Sequence, residues 1–510
     1  MCSPLLKMLL GWLIAMVIIG YMISVQHKHH PKALFYLFFT EMWERFSYYG
    51  MRALLMLYMT KQLLLGDFVS AGIYGSYMAL VYATPVIGGM LSEKYLGIRK
   101  AIIIGAILMA VGHFGLAIET PWMFYASLSL LALGNGFFKP NISSLVGKFY
   151  FENDPRRDSA FTIFYMGVNT GAFLTPLTCG FLGEQYGWHW GFGAAGIGML
   201  LGLLVFCYGN FKNIFEDKGL PPSSKLQNNS NISLFIYGSI VIAIPIIAYL
   251  LQHALAAKYV LLSIGLLAFG YLIILTVKEN LASRKKMLAI VVLFVFTIMF
   301  WTFFELAGSV LTLYTDRNID RTITNGFLQS IFCAQINTSE FQSINPFFII
   351  LLAPLFSKIW ERLNISSGLK FSLALFQLGL GFLILVLGAS FANLEGMVPI
   401  VFMICAYLLH TTGELCLSPI GLSIVTKLSP AKIVSTVMGI WLLSTTFAGL
   451  LGGEIGAFTS IENTGNEIVT KTASLAIYTN TFQWIALTAI ASGVLLLFFV
   501  KPLKRWMQEG

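Results

Sequence analysis

Four ionisable residues lie close together in one strongly apolar stretch, ALFYLFFTEMWERFSYYGMRALLMLYMTKQLL at positions 33–64. Charges at the centre of a membrane helix cost about 2.5–3.5 kcal/mol each, so they face one another, a partner helix or a water-filled cavity. Glu41, Glu44 and Arg45 are three and four positions apart, which places them on one helical face. Arg52 follows on the same side. These residue types can exchange a proton or bind a charged solute; the alternative is a charged network that only locks helices together.

Five further polar residues interrupt other apolar stretches: Lys139 in GNGFFKPNISS, Glu305 in MFWTFFELAG, Glu414 in LLHTTGELCLSP, Asn169 in FYMGVNTGAF and Asn345 in FQSINPFFII. A carboxylate without a counter-charge at membrane depth binds a proton or a cation. The lysine either faces a cavity or extends to the membrane surface. The two amides either join helices by hydrogen bonds or contact a ligand, and the sequence leaves both open.

The composition indicates the elements that must position these residues. The chain has 510 residues, of which 57% are hydrophobic and only 11% charged, whereas soluble proteins have about 25% charged residues. The fold class is therefore an all-α polytopic membrane protein in contact with a lipid bilayer. The formal charge of +9 lies in short loops between spans, which argues against a nucleic-acid partner. Neither HExxH nor GxSxG is present, so the sequence predicts neither a metal site nor an intramembrane hydrolase, and no enzyme.

Fourteen apolar spans are predicted, at residues 33–64, 70–92, 100–118, 122–147, 159–183, 190–210, 232–251, 258–276, 287–314, 342–360, 368–390, 397–426, 432–456 and 475–500. An additional run at 5–25 has no small-residue cleavage site and favours an extra N-terminal helix over a signal peptide. Segments on one side of the predicted topology contain 23 Lys and Arg residues against 5 on the other. By the positive-inside rule, both ends of the fourteen-span core are expected in the cytoplasm.

The loops divide these spans into six, two and six. The predicted domains are an N-terminal apolar helix and basic collar at 1–32, a six-helix bundle at 33–210, a linker with two inserted helices at 211–286, and a second six-helix bundle at 287–505. If the two bundles are pseudo-symmetric, the charged spans occupy corresponding positions in each.

The charges in the spans suit a solute with separated ends. Arg52 and Lys139 would bind a carboxylate, and Glu414 would bind an ammonium group. Aromatic residues would line the space between them without selecting one side chain; the candidates are Tyr48, Tyr49, Tyr82, Trp301 and Trp441.

Several separated motifs resemble those of the proton-dependent oligopeptide transporter family of the major facilitator superfamily. E-x-x-E-R-F-x-Y-Y-G runs from Glu41 to Gly50, G-F-x-K-P-N from Gly136 to Asn141, F-Y-x-x-x-N-x-G from Phe164 to Gly171, and G-E-L-x-L-S-P from Gly413 to Pro419. The similarity extends from about residue 30 to 505. It implies a major facilitator fold of two six-helix bundles plus two inserted helices.

The resemblance also implies roles for individual residues. Glu41, Glu44 and Arg45 correspond to the proton-coupling motif, and Glu305 to the carboxylate of the seventh helix that exchanges a proton. Arg52 and Lys139 correspond to residues that bind the peptide C-terminus. Three residues correspond to those that bind the peptide N-terminus: Asn169, Asn345 and Glu414. The residues that correspond to the pocket wall are Tyr48, Tyr49, Tyr82, Trp301 and Trp441.

The expected function is proton-coupled import of di- and tripeptides by alternating access, with protons as the coupling ion, no cofactor, a monomeric state and a bacterial inner-membrane location. The alternatives are the same scaffold with another small anion or zwitterion, such as an amino acid, nitrate or a drug, and a non-transporting peptide receptor. Three features depart from the family pattern, and the first is Glu93, which replaces the usual Asp of an inside loop. Leu306 replaces a usual Gln, and the run 5–25 has no counterpart in that pattern.

Overall fold

The computed structural model describes residues 4–151, 154–221, 230–326, 329, 334–363, 365–430, 432–461 and 470–508. Nearly all of them are helical. The first eight helices are α1 (Pro4–Gln26), α2 (Lys32–Lys61), α3 (Asp67–Leu91), α4 (Ile98–Leu116), α5 (Pro121–Gly147), α6 (Arg156–Thr175), α7 (Phe181–Tyr186) and α8 (Trp188–Phe211). Helices suit a membrane span because every backbone polar group finds its partner within the segment.

The remaining helices follow the inserted linker. They are α9 (Ser230–Gln252), α10 (Ala254–Lys278), α11 (Leu281–Phe304), α12 (Val310–Asn318), α13 (Ile344–Arg362), α14 (Ser367–Ala389), α15 (Ile400–Leu428), α16 (Val434–Phe458) and α17 (Lys471–Met507). Two short parallel strands, β1 (Ile319–Asp320) and β2 (Val398–Pro399), pair with each other. This confirms the all-α fold class.

Eleven helical stretches in the described part are long and apolar enough to cross a membrane, and one of them is the N-terminal run, Leu5–Gln26. The long helices α2, α3, α5 and α6 are not among them. In α2 the reason is visible in the sequence, because charged residues interrupt its apolar stretch. The chain is an integral membrane protein in which the more polar long helices carry most of the candidate residues.

Short departures from α-geometry separate several helices. A π-helical turn spans Ser92–Leu96 after α3, and another spans Pro176–Gly180 between α6 and α7. A 3-10 turn at Glu305–Gly308 divides α11 from α12. A second 3-10 turn at Ser339–Ser343 leads directly into α13. Such irregular backbone is common at functional positions of membrane helices, where it lines cavities or is buried in protein.

Contacts group the chain into two compact units that are not continuous in sequence. Unit 1 contains Met1–Tyr58, Ala83–His253 and Thr322–Pro346, and unit 2 contains Met59–Tyr82, Ala254–Arg321 and Phe347–Gly510. The inserted helices divide between them, with α9 in unit 1 and α10 in unit 2. The domain boundaries given above from the sequence remain a prediction.

Candidate functional site

The three charged residues of the first motif form a buried cluster on α2 of unit 1. Arg45 Nε lies 2.5 Å from Glu44 Oε2 and 3.0 Å from Glu41 Oε1. All three residues are at most 3% exposed. The second oxygens, Glu41 Oε2 and Glu44 Oε1, have no hydrogen-bond partner in the described part of the chain. Two carboxylates thus share one guanidinium, and the fully ionised cluster carries a net charge of −1.

Glycines allow α6 to approach this face of α2 closely. A Cβ at Gly171 would overlap the carbonyl oxygen of Met42 and lie 3.1 Å from Arg45 Cβ. A Cβ at Gly167 would lie 3.0 Å from the Phe38 carbonyl oxygen. Small residues permit such backbone contact between membrane helices. The glycine of the F-Y-x-x-x-N-x-G motif therefore has a physical role, which is to hold α6 against the charged cluster.

Aromatic rings continue the polar face of α2 from Arg45 to Arg52. The Tyr48 ring centroid lies 5.4 Å from Arg45 Cζ, and the Tyr49 ring centroid lies 5.8 Å from Arg52 Cζ. The two tyrosine rings meet edge to face, with centroids 5.3 Å apart. Cation–π contacts of this length stabilise a guanidinium that has left water. The structure thus brings five of the candidate residues of the first motif together on one helix face.

Lys139 lies on α5, where the backbone is irregular. Pro140 has no N–H, so the Gly136 carbonyl lacks its usual helical partner, and a Cβ at Gly88 would overlap it. Asn141 Nδ2 donates to the Phe137 carbonyl, and its Oδ1 accepts from Ser92 Oγ at 2.5 Å. Lys139 is half-buried, and its charge acts on both carboxylates of the α2 cluster.

The two amides occupy different environments within unit 1. Asn169 on α6 is 5% exposed, and its Nδ2 donates to the Tyr165 carbonyl of the same helix at 3.0 Å. Asn345 is half-buried in the first turn of α13. Two residues before it, Ser343 Oγ donates to the Phe173 carbonyl of α6 at 2.8 Å. The start of α13 is therefore fastened to α6, the helix that carries Asn169.

Glu305 lies in unit 2, where the seventh core span breaks. It is the first residue of the 3-10 turn between α11 and α12, and it is 7% exposed. A cleft beside it is lined by residues of α3, α16 and the turn: Tyr74, Met78, Ser309, Ala448, Gly449, Gly452 and Gly453. Leu306, the residue that replaces the usual Gln, is fully buried, and Gly452 packs near its side chain. Leu306 thus belongs to the apolar core and makes no polar contact beside Glu305.

Glu414 and three of the aromatic candidates also lie in unit 2. Glu414 on α15 is 8% exposed. Trp441 on α16 is buried, with its ring 6.2 Å from that of Phe294, whereas Trp301 on α11 and Tyr82 on α3 are half-buried. One turn before the glutamate, His410 is buried with its ring 4.7 Å from Phe382. It is a packed core histidine.

Sequence reasoning missed two ion pairs of unit 2. Arg317 NH1 and NH2 contact Asp67 Oδ2 and Oδ1 at 2.6 and 2.8 Å, and Lys61 Nζ lies 2.6 Å from Asp316 Oδ1. Arg317 and Lys61 are the basic residues of these pairs. Their partners are distant in sequence, and the single signal was that acids and bases occur at the same predicted membrane face. Both pairs join the end of α12 to the α2–α3 connection.

Metal binding has no support in the described part of the chain, where no group of three or more His, Cys, Asp or Glu residues is close enough to hold an ion. Of the six cysteines, Cys2 and Cys333 lie outside the described residues. The others are free thiols in the helices, and two of them, Cys179 and Cys416, are buried. The chemistry available at the site is therefore that of carboxylates, ammonium and guanidinium groups, amides and aromatic rings.

Known proteins match this chain over most of its length. The family model described as PTR2, POT family, matches residues 99–471. An uncharacterized transporter of Bacillus subtilis, YclF, is 37% identical over 94% of this chain and 95% of its own. Dipeptide and tripeptide permease A of Salmonella typhimurium is 32% identical over 96% and 95%.

Solved structures of transporters also match nearly the whole chain. A peptide transporter POT in complex with sulfate aligns with a TM-score of 0.80 and 34% identity, over 94% of this chain and 96% of its own. A POT family transporter in complex with 5-aminolevulinic acid has a TM-score of 0.80 and 30% identity, over 93% and 97%. With a family model matched over most of its length and relatives above 30% identity along nearly the whole chain, this protein belongs to the POT family.

Proposed function

We propose that this protein is a proton-coupled symporter that imports di- and tripeptides by alternating access. It works as a monomer in the bacterial inner membrane, with both ends of its fourteen-span core in the cytoplasm and protons as the coupling ion. The observation that carries the proposal is the buried cluster of Glu41, Glu44 and Arg45. Relatives that are dipeptide and tripeptide permeases support the substrate class.

The cluster suits proton coupling because its charge is unbalanced. Arg45 neutralises one carboxylate, so the other can take a proton and leave a neutral group of three. A neutral group is the least costly state in a water-poor environment. Glu305, at the break of the seventh span, is proposed as a second exchanging carboxylate because it combines low exposure with an adjacent cleft.

The peptide termini require groups of opposite charge. Arg52 and Lys139 are proposed to bind the carboxylate, and Asn169, Asn345 and Glu414 the ammonium group. Tyr48, Tyr49, Tyr82, Trp301 and Trp441 are proposed to contact the remainder. Aromatic surfaces accept many side chains, which suits a substrate class defined by its backbone and termini.

The proposed cycle links the two sets of residues. Outside, Glu305 or the α2 cluster takes a proton, which releases Lys139 and Arg52 to bind the peptide carboxylate. The protein then opens inward and the carboxylate loses its proton. The carboxylate pairs again with Lys139 and Arg52, and the peptide is released. Coupling requires that the proton and the peptide each favour the same change between two conformational states.

A second candidate is the same mechanism with another zwitterion. The observation that favours it is the related structure in complex with 5-aminolevulinic acid, a single small molecule with an amino group and a carboxylate. A substrate of that size has the same separated charges as a dipeptide.

Competition for labelled dialanine uptake in proteoliposomes tests the substrate class. The proposal predicts strong competition by trialanine, weak competition by N-acetyl-dialanine and dialanine amide, and no competition by nitrate. The Arg52→Gln variant should lose preference for the free carboxylate, and the Glu414→Gln variant should lose preference for the free ammonium group. Uptake of 5-aminolevulinic acid or alanine with no dialanine uptake would favour the second candidate.

A further inference from the structure

The N-terminal helix α1 packs specifically against other helices of unit 1. Trp12 Nε1 donates to Thr178 Oγ1 at 3.1 Å. The Trp12 ring lies 5.7 Å from the Trp43 ring and 6.0 Å from the Phe46 ring, both on α2. Ala15 is buried in the same apolar cluster. The helix is therefore a packed part of the bundle, in contact with α2 and with the π-turn that follows α6.

Lys7 is the charged residue of this helix, and it is almost fully buried. Its Nζ lies 2.5 Å from Glu340 Oε1, and both side chains are 4% exposed. The ammonium group also lies 5.3 Å from the centroid of the Phe181 ring. A buried carboxylate requires a counter-charge in an apolar environment. For Glu340, α1 provides that charge.

Glu340 belongs to the 3-10 turn that begins α13. Asn337 Nδ2 donates to Glu340 Oε1 at 2.8 Å, and Gln185 Nε2 donates to Asn337 Oδ1 at 2.7 Å. Glu184 accepts from the backbone N–H groups of Thr338 and Ser339 at 3.2 and 2.7 Å. The turn is thus held between α1 and the α7 segment.

The same turn sets the position of Asn345. Ser343, its last residue, donates to the Phe173 carbonyl of α6, one turn after Asn169. Asn345 follows in the first turn of α13. Lys7, Glu340 and Asn345 are therefore connected through one short turn, and the two amides proposed to bind the peptide ammonium group are anchored together.

We propose that Lys7 is a positioning residue for peptide binding and that α1 is a retained helix of the transporter. By neutralising Glu340, Lys7 fixes the 3-10 turn against α6 and α7. The 3-10 turn then holds Asn345 at the ammonium end of the substrate. This inference rests on the proposed peptide site. It makes α1, which has no counterpart in the family pattern, a determinant of substrate affinity.

The test measures dialanine KM and kcat by counterflow in proteoliposomes for Lys7→Gln, Glu340→Gln, Lys7→Arg and the exchange Lys7→Glu/Glu340→Lys. Loss of one hydrogen bond to the ammonium group raises KM about three- to tenfold in Lys7→Gln and Glu340→Gln, with kcat little changed. The Arg variant and the exchange should restore most of the affinity. Lys28→Gln, at an exposed lysine of the basic collar, is the matched control and should match the wild type.

The preference for free dialanine over N-acetyl-dialanine is a second readout. It would not change if Lys7 had a purely structural role. Because N-acetyl-dialanine lacks the ammonium group, its inhibition constant should stay constant in the Lys7 variants, so the preference for free dialanine falls by the same factor as the affinity. Gly180→Ala is a charge-free second variant. A Cβ there would overlap the Ser339 side chain, so it should also raise dialanine KM.

If the wild type takes up dialanine while the variants keep both its KM and its preference for free dialanine over N-acetyl-dialanine, that result overturns the inference and leaves the proposed function intact. A fall in kcat or protein yield with no rise in KM also overturns the inference. So does an exchange variant that does not restore the affinity lost in the single variants. Absence of dialanine counterflow by the wild type contradicts the proposed function itself, and the inference falls with it.

Discussion

Replacing Arg45 by Gln should destabilise the protein more than replacing either of its partners. The wild-type cluster contains two carboxylates and one guanidinium, all at most 3% exposed. The Arg45→Gln variant keeps both buried carboxylates and removes the guanidinium that lies between them. The Glu44→Gln variant keeps the Glu41–Arg45 contact at 3.0 Å and becomes neutral.

The magnitude follows from these contacts. Removing one partner of a buried ion pair costs about 3–5 kcal/mol, because the remaining charge has lost its compensation. The Arg45→Gln variant should lose about this much free energy of unfolding at pH 7. Loss of one polar contact without an excess charge costs about 1 kcal/mol, which is the value expected for Glu44→Gln.

The double variant Arg45→Gln/Glu44→Gln distinguishes charge from packing. It carries one excess negative charge instead of two, so it should be more stable than Arg45→Gln alone, a clear departure from additivity. Unfolding by SDS titration from detergent micelles measures the free energies. Arg156→Gln is the control, because it removes an ion pair in which the guanidinium is exposed. If Arg45→Gln and Glu44→Gln lose equal free energy, or the double variant is the least stable, the argument from unbalanced charge is refuted.

Three other predictions concern single side chains. Leu306→Gln places an amide at a fully buried apolar position and should lower the free energy of unfolding by about 1–3 kcal/mol without raising peptide affinity; greater affinity would show that a polar group is needed beside Glu305. Gly171→Ala should lower both protein yield and proton-driven uptake, because the new Cβ overlaps the Met42 carbonyl; Gly193→Ala, at a glycine with open space, is the control. Burial and the neighbouring Arg156 lower the pKa of His30, which lies 2.9 Å from the Tyr150 hydroxyl, below its usual value of 6.5. Since the unfolded chain then binds the proton more readily, His30 contributes stability above about pH 6.5 that is lost as pH falls below it. The unfolding temperature should therefore fall less between pH 7.5 and 5 in His30→Gln than in the wild type. Equal falls in the two proteins would contradict this.

Much of unit 1's polar face could be predicted because its residues are local. Glu41, Glu44 and Arg45 are one helical turn apart, so their ion contacts follow from helix geometry alone. Gly136 and Pro140 are local features of the same kind, because a glycine permits close packing and a proline removes one helical hydrogen bond of α5. Hydropathy predicted the helices of the other spans, which are long and apolar, whereas α2, α3, α5 and α6 are not among the eleven described stretches apolar enough to cross a membrane.

Contacts between segments distant in sequence could not be predicted. Lys7 and Glu340, or Asp67 and Arg317, meet only because their helices pack together, and no local pattern records that pairing. The break at Glu305 was also invisible, because no proline or glycine stands at the start of the turn and the sequence pattern remains helical. Leu306 shows the converse, since burial alone explains why an apolar residue is stable there.

The most direct test of the account is dialanine accumulation in proteoliposomes against an imposed inward proton gradient, with and without a protonophore. The account predicts uptake above the external concentration that collapses when the protonophore is added, and loss of this accumulation with retained exchange in Glu305→Gln. Exchange without accumulation in the wild type would contradict proton coupling. No movement of dialanine under any condition would contradict the peptide site.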